Sequence, residues 1–422
     1  MKKIKVLCWA GWYRESVDDY RAIFIKKHLD IISEFADLHC FHIIHKRNLF
    51  WFKKYVLNES FGDITIYRIP SFFPLKHLGY FFIPFIEGYK AKKKFKQIDV
   101  FHLHISYPFA TFTYLIDLFK IKKWILTEHW SGYTSFDNSF DKLNFLIKFL
   151  IKERLKRFDK ISVVSEFLKR ELSVRFPQLD TKIHICSNFI TYPNELKRPL
   201  TIEENFRLLA ISNLVVNPKN ILFLLKVIKE VSKVIPNIQL YVYGDGKDKE
   251  LFLQEAEKLG LLNKHVFYNG KIKNDAISEV YNQHHAFILL SRFETFSVVT
   301  VEAIAHGLPV IVSKCGGPEE YVNEQNGYLV PINDLQSTVQ AIIHLYNNYH
   351  LFPPQKVQYT ILKKFGKQQI LQQFKNYLYE KFFSSYHSSV VFHSRNLLFI
   401  QIFLFYFFRK QKFFNKNNYY TL

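Results

Sequence analysis

The chain has 422 residues, 48% of them hydrophobic, with 58 Lys or Arg against 37 Asp or Glu and a formal charge of +21. This length suits two ordinary domains, and the apolar fraction excludes a disordered chain. Cys8, Cys40, Cys186 and Cys315 lie far apart and form no CxxC or metal spacing, which excludes a disulfide framework and points to reduced, buried thiols in the cytosol.

The N-terminus has basic residues but too short an apolar run for a signal peptide, and it reads as a first buried strand, Ile4–Trp9. Strand-like runs follow at Leu38–Ile44, Ile64–Ile69, Val100–His104, Trp124–Thr127 and Lys160–Val164, with helix-like segments between them. The texture changes near Tyr192–Thr201, where Pro193, Pro199 and a charged stretch suggest a linker. A second series runs Arg207–Ile211, Gln239–Gly244, Val266–Asn269, Ala286–Leu290 and Pro309–Ser313. Such alternation predicts an α/β chain with parallel sheets covered on both faces. The division expected is two doubly wound domains, 1–195 and 196–380, facing a cleft, with the last helix crossing back. Residues 381–422 fit neither series. Their apolar run Leu397–Phe408, followed by Arg409-Lys-Gln-Lys412, falls short of the ~20 residues that span a bilayer. An interfacial anchor, an element packed on the body and a tail without function all fit it.

Lysines cluster with aromatic and aliphatic residues at Phe52–Tyr55, Lys90–Lys96 and Asn144–Phe158. The last run alternates apolar and basic residues at helical spacing, as a helix lying on an anionic membrane surface would. A peripheral place on the cytoplasmic face of the membrane is therefore expected. A composition rich in Phe, Lys, Ile, Asn and Tyr is the alternative source of the charge. No nucleic-acid module is visible, so nucleic acid is not an expected partner.

The chemistry concentrates in Ser291–Gly317. Glu294 falls in the loop after a buried strand, and Glu302 stands eight residues on, in the helix that Gly307 ends. The amides around Phe296, Ser297, Val298 and Val299 open that helix, where free N–H groups and a partial positive charge can hold a phosphate. At ~1.5 Å rise per residue, Glu302 sits roughly 8–9 Å from the loop of Glu294, about the span of a diphosphate linker. One carboxylate can then take sugar hydroxyls and the other a ribose. Two solvated glutamates are the plainer reading of that spacing alone.

The full string, Glu294-Thr-Phe-Ser-x4-Glu302-Ala-Ile-Ala-His-Gly-Leu-Pro-Val-Ile with Gly316-Gly317 after it, resembles the donor-site signature of the family 4 retaining glycosyltransferases. The resemblance covers roughly residues 1–380 and is strongest over 200–335. It implies a GT-B fold, a nucleotide-sugar donor held mainly by the second domain, a glycan or lipid-linked acceptor held mainly by the first, retention of configuration, no cofactor and no metal. Metal-dependent transferases of the other architecture use Asp-x-Asp, and no two aspartates here are two apart. By resemblance, Lys219 and the amides of Phe296–Val299 take the pyrophosphate, Glu294 the sugar and Glu302 the ribose. Gly244-Asp-Gly246 matches a turn beside the donor; as a dinucleotide fingerprint it fails, because Lys249 stands where a third glycine would. Asn213 and Asn220 replace the family's usual arginine and glycine, and Ser297 another glycine, where it would serve as a helix cap. His129, in Thr127-Glu-His-Trp-Ser-Gly132, matches a cleft histidine whose ordinary pKa suits proton handling near neutrality. His102 and His104 alternate along a strand, which is read as placing at most one toward the cleft. In the loop after strand one, Gly11 allows close backbone approach, and Arg14 and Arg21 offer charge. Pro318-Glu-Glu320 reads as a second helix start facing the cleft.

Two rivals stand beside this reading. A UDP-sugar 2-epimerase of the same architecture would give product without acceptor, and a degenerate, membrane-bound assembly partner would bind no donor.

Overall fold

A computed structural model describes residues 3–16, 22–72, 75–193, 195–272 and 276–379. The chain begins with β1 (Ile4–Ala10), α1 (Ile23–Ser33), β2 (Ala36–Lys46), β3 (Lys53–Glu59), β4 (Gly62–Pro70), α2 (Leu75–Phe95), β5 (Val100–His104) and β6 (Lys123–Glu128). The first lobe is completed by α3 (Phe145–Arg157), β7 (Lys160–Val163), α4 (Glu166–Arg175) and β8 (Ile183–Ile185). Its eight strands run in the order β3-β4-β2-β1-β5-β6-β7-β8, parallel except for the antiparallel pair β3·β4.

The second lobe contains β9 (Phe206–Ile211), α5 (Ile221–Val231), β10 (Ile238–Tyr243), α6 (Lys249–Lys258), β11 (Val266–Tyr268) and α7 (Ile277–Asn282). Then come β12 (Ala286–Leu289), α8 (Val298–Ala305), β13 (Val310–Ser313), β14 (Gly327–Val330), α9 (Leu335–Asn347) and α10 (Pro354–Phe365). Its six strands are all parallel, in the order β11-β10-β9-β12-β13-β14. The last described helix, α11 (Lys367–Tyr379), packs on α1, where Phe374 meets His28 at 5.0 Å between ring centroids and Lys367 pairs with Glu34 at 2.8 Å.

The apolar runs became strands because helices cover both faces of each sheet. All five residues of β5 and all four of β12 are buried, so neither alternates polar with apolar. The three strands without a sequence signal are short or marginal. β3 is an edge strand with half-exposed or exposed residues throughout, and its Lys53-Lys54-Tyr55 reads as a basic cluster. β8 and β14 have only three and four residues. The tail 381–422 lies outside the described residues.

Between β8 and β9 the chain is irregular, yet it is fastened. Arg198 is 4% exposed and donates from Nε to the Gly307 carbonyl at 2.5 Å, and also bonds the Tyr349 hydroxyl and the Phe352 carbonyl. Its guanidinium also lies over the Tyr349 ring. Hydrogen bonds to a charged donor are worth about 1.5–3 kcal/mol each way of accounting, and orphaned buried carbonyls add to the cost of losing it. Arg198→Ala is expected to lower unfolding stability by roughly 2–4 kcal/mol, read as a fall in the urea midpoint with the m-value unchanged.

Candidate active site

In the second sheet the strand order reverses between β9 and β12, the position where open parallel sheets place ligands at their carboxyl ends. Lys219 follows β9 and Glu294 follows β12. Lys219 Nζ donates to Glu294 Oε1 at 2.6 Å, and Ser291 Oγ donates to the same oxygen at 2.7 Å. The backbone of Glu294 is held from both sides: its N–H reaches the Cys315 carbonyl at 2.7 Å and its carbonyl accepts from Gly317 at 2.9 Å. Gly316 has φ 105°, and a Cβ there would stand 2.9 Å from the Glu294 carbonyl oxygen. The paired glycines thus let two loops of the chain itself approach closely.

Asn213 is exposed on the loop after β9. Asn220 has φ 59° at the start of α5 and bonds the Leu290 carbonyl at 3.1 Å and Asn333 Oδ1 at 3.0 Å. It occupies a left-handed position that asparagine tolerates better than most residues, so the missing glycine is accommodated. Gly244 has φ 138°, and a Cβ would fall 1.8 Å from the Ser212 carbonyl oxygen. The turn Gly244–Gly246 is consequently pressed against the loop that carries Asn213.

Phe296 is buried, and Val298 and Val299 are half-buried in the first turn of α8. Ser297 does not cap this helix through its side chain, contrary to the sequence reading. Its φ is 63°, and its hydroxyl pairs with Thr300 Oγ1 at 2.8 Å. The left-handed backbone explains why glycine suits this position. Glu302, in the second turn, accepts from Lys27 Nζ on α1 at 3.0 Å, and its other oxygen lies 3.4 Å from the Tyr281 hydroxyl. The Lys27 contact spans 275 residues and had no signal in sequence.

The first lobe has its own reversal, between β1 and β5. Gly11 lies there, but a Cβ on it would meet the His104 carbonyl oxygen at 2.3 Å, so its close approach is to β5 and not to open space. Arg14 is 4% exposed and bonds Glu59 through Nε at 2.7 Å and through a second nitrogen. This corrects its reading as a cationic cleft residue: its charge is committed to a buried pair. Arg21 lies outside the described residues.

His129 follows β6 and is set by its neighbour. The buried carboxylate of Glu128 accepts from the amides of His129 and Trp130, each at 2.9 Å, from the Ser106 amide at 3.0 Å and from Ser106 Oγ. Burial pushes the Glu128 carboxyl above its ordinary range, and these four donors pull against that shift. The sequence reading passed over Glu128, although it sits inside the Thr127–Gly132 segment.

His102 and His104 share one face of β5, with rings stacked at 4.4 Å. Residues two apart in a strand point the same way, which corrects the expectation that only one could face a given side. Burial holds His104 and His129 well below the usual histidine range, with like-charge neighbours adding to the effect. His129 is thus a neutral imidazole, not a group poised to titrate near neutrality.

Residues 317–320 form one turn of 3-10 helix rather than the expected second helix start. Glu319 accepts from the Gly316 amide at 2.8 Å, and Glu320 accepts from Phe167 N–H at 2.6 Å, at the beginning of α4 in the other lobe. Of the basic runs, α3 buries Leu150, Ile151, Arg154 and Leu155 against the body and exposes Phe145 and Phe149. No helix among the described residues is long and apolar enough to cross a membrane.

The strain at Ser297 can be measured. A non-glycine residue in this region costs on the order of 1 kcal/mol, and a β-branched one more. Ser297→Gly is expected to keep the urea midpoint at or above that of the parent, whereas Ser297→Val should lower stability by about 1–2 kcal/mol.

Comparison with known proteins completes the assignment. The profile of Glycosyl transferases group 1 matches residues 205–348, and that of Glycosyltransferase Family 4 matches residues 42–191. N-acetyl-alpha-D-glucosaminyl L-malate synthase of Bacillus anthracis is 25% identical over 300 residues, 68% of this chain and 75% of the relative. The structure of sucrose-phosphate synthase from Thermosynechococcus elongatus superposes with a TM-score of 0.71 at 17% identity, over 90% of this chain and 100% of that one. S. aureus TarM, in a complex containing UDP and alpha-GlcNAc-glycerol, gives a TM-score of 0.57 at 19% identity, over 70% of this chain and 59% of its own. At these identities the superpositions speak for the fold alone. The chain belongs to the group 1, family 4 glycosyltransferases, and its two parallel-sheet lobes are a GT-B fold.

Proposed function

We propose that the chain moves a sugar from a nucleoside diphosphate sugar to a lipid-linked or surface glycan acceptor, with retention of configuration and no metal on the diphosphate. The observation that carries this reading is the Lys219–Glu294 pair, 2.6 Å apart at the switch point of the second sheet and beside the start of α8. A diphosphate arriving there gives Lys219 a second anion and frees Glu294 to accept hydrogen bonds from sugar hydroxyls. The free amides at the start of α8 take phosphate oxygens. Glu302, on exchanging Lys27 for a ribose, holds the far end of the nucleotide. His129, neutral, hydrogen-bonds the sugar. The bond from the anomeric carbon to the diphosphate breaks, the bond to the acceptor oxygen forms on the same face, and the acceptor proton passes to the departing phosphate oxygen. Lys219 stabilises the charge that develops on that phosphate.

The names of the relatives favour UDP and N-acetylglucosamine as the first donor to test: the Bacillus anthracis enzyme is named an N-acetyl-alpha-D-glucosaminyl L-malate synthase, and the TarM complex contains UDP. For the acceptor, the first lobe offers a surface that suits a lipid. Phe50 and Trp51 are 74% and 78% exposed, and Phe82, Ile86 and Tyr89 form an exposed stripe at helical spacing on α2. The Phe52 ring comes within 3.0 Å of a Cβ placed on Gly79 of that helix, so loop and stripe adjoin. Exposed Lys53, Lys54, Lys92, Lys93 and Lys94 flank them. Apolar side chains ringed by lysine match the boundary of an anionic bilayer, which supports the reading of a peripheral enzyme docked on such a surface.

With a UDP-sugar panel and mass-spectrometric detection of product, Glu294→Ala should slow transfer by roughly 10²–10³-fold. Lys219→Ala should also weaken the thermal shift given by UDP. A wild-type chain stabilised by no nucleotide sugar, or undiminished transfer by Glu294→Ala, would sink the catalytic reading.

Membrane docking is checked separately by co-sedimentation with vesicles. Binding is expected with phosphatidylglycerol, should weaken as salt rises, and should fall about tenfold in Trp51→Ala/Phe82→Ser. Equal binding by the double variant would remove this surface from the model of the acceptor site.

A further inference from the structure

Three histidines from separate elements converge within the first lobe, beside Phe374 of α11: His28 on α1, His104 at the end of β5 and His129 after β6. Each offers a ring nitrogen, and these three atoms all lie within 4.8 Å of one another. The ring centroids are 5.3 Å apart for His28 and His129, and 6.1 Å for each of the other two pairs. Three imidazoles bound to one tetrahedral ion at about 2.0–2.1 Å would place their centroids roughly 5 Å apart. The two longer separations would have to close by about 1 Å to meet that geometry.

All three side chains are buried. Among the described residues, neither nitrogen of His28 or of His104, nor His129 Nε2, has a hydrogen-bond partner of normal geometry. The Ser187 backbone does approach His28, and a carbonyl there is the kind of acceptor that orients the non-ligating N–H of a metal-bound ring. Aromatic packing alone explains the rings' contacts with Phe24 and Phe374; it leaves several buried ring nitrogens unsatisfied. His102 is excluded as a ligand through Nε2, which is bonded to Thr127 Oγ1 at 2.8 Å.

We propose that His28, His104 and His129 form a three-nitrogen binding site for a borderline transition-metal ion, Zn2+ foremost. The donor set is neutral imidazole, which suits Zn2+, Co2+ or Ni2+ and not the oxygen-seeking Mg2+ or Ca2+. Three protein ligands leave one tetrahedral position for a water or an anion. This site is separate from diphosphate binding, which Lys219 and the start of α8 serve. Its consequence for catalysis rests on the role given above to His129: an ion that holds this imidazole withdraws it from the sugar, so Zn2+ slows transfer.

The test uses the full, tag-free chain stripped with chelator and titrated without donor, so that its outcome is independent of any transferase activity. One Zn2+ per chain at micromolar concentration is expected by equilibrium dialysis and elemental analysis. Co2+ should give visible d–d absorption that Zn2+ abolishes. His28→Gln should lose more affinity than the roughly 10–100-fold that an outer-shell change costs, while His344→Gln, exposed on α9, should bind as the parent does. In transfer assays Zn2+ should slow the parent and leave His28→Gln unaffected. No Zn2+ bound by the parent, or equal binding by His28→Gln, overturns the site. Should His28→Gln fail to fold, the parent's Co2+ spectrum decides: absence of the d–d bands overturns the proposal.

Discussion

Where β9 meets β12 the strand order reverses, and the two following loops must leave the sheet in opposite directions. The gap this opens is the constraint on which the second lobe depends. Lys219 and Glu294 stand on its two sides and close it electrostatically at 2.6 Å. Helix α8 begins just beyond, so its unpaired amides face the same gap. The glycines nearby relieve the crowding of loop against loop that such a junction creates, as the 1.8 Å approach at Gly244 shows. They serve the backbone first, and a ligand benefits because the loops are thereby held still.

Two acids of this site are matched by cations of the chain, Glu294 by Lys219 and Glu302 by Lys27, while Glu320 is bonded to the backbone amide of Phe167 across the lobes. Under the proposed function, a donor diphosphate would exchange one set of charge partners for another instead of entering a bare field. Lys27 gives this exchange a second meaning. It lies in the first lobe, so the residue proposed for the ribose is also one that ties the lobes together. Partly buried pairs of this kind are worth more than surface ones, because water screens them less.

On the other side of the cleft, the controlling group is Glu128. Its carboxylate collects the amides of Ser106, His129 and Trp130 and so holds the loop after β6 against the end of β5. Burial costs the charged form, and the donors offset that cost. The same packing brings His104 and His129 beside His28 and keeps all three rings neutral. A loop fixed in this way can present an imidazole with little freedom to turn.

The sequence by itself determined the fold class, most strands and the donor string. Buried parallel strands carry unbroken apolar runs, and the spacing from Glu294 to Gly317 is local, so both are written in neighbouring residues. β3, β8 and β14 escaped because an edge strand and strands of three or four residues carry no such run. Tertiary structure alone decided which charges meet. Arg14 pairs with Glu59 and Glu302 with Lys27, contacts across 45 and 275 residues that no periodicity encodes. It also decided that His28 packs beside His104, whereas the shared face of His102 and His104 follows from the strand period alone. Local pattern sets which backbone hydrogen bonds form; the packing of separate elements sets which side chains lose water together, and that is what places charge and tunes the imidazoles.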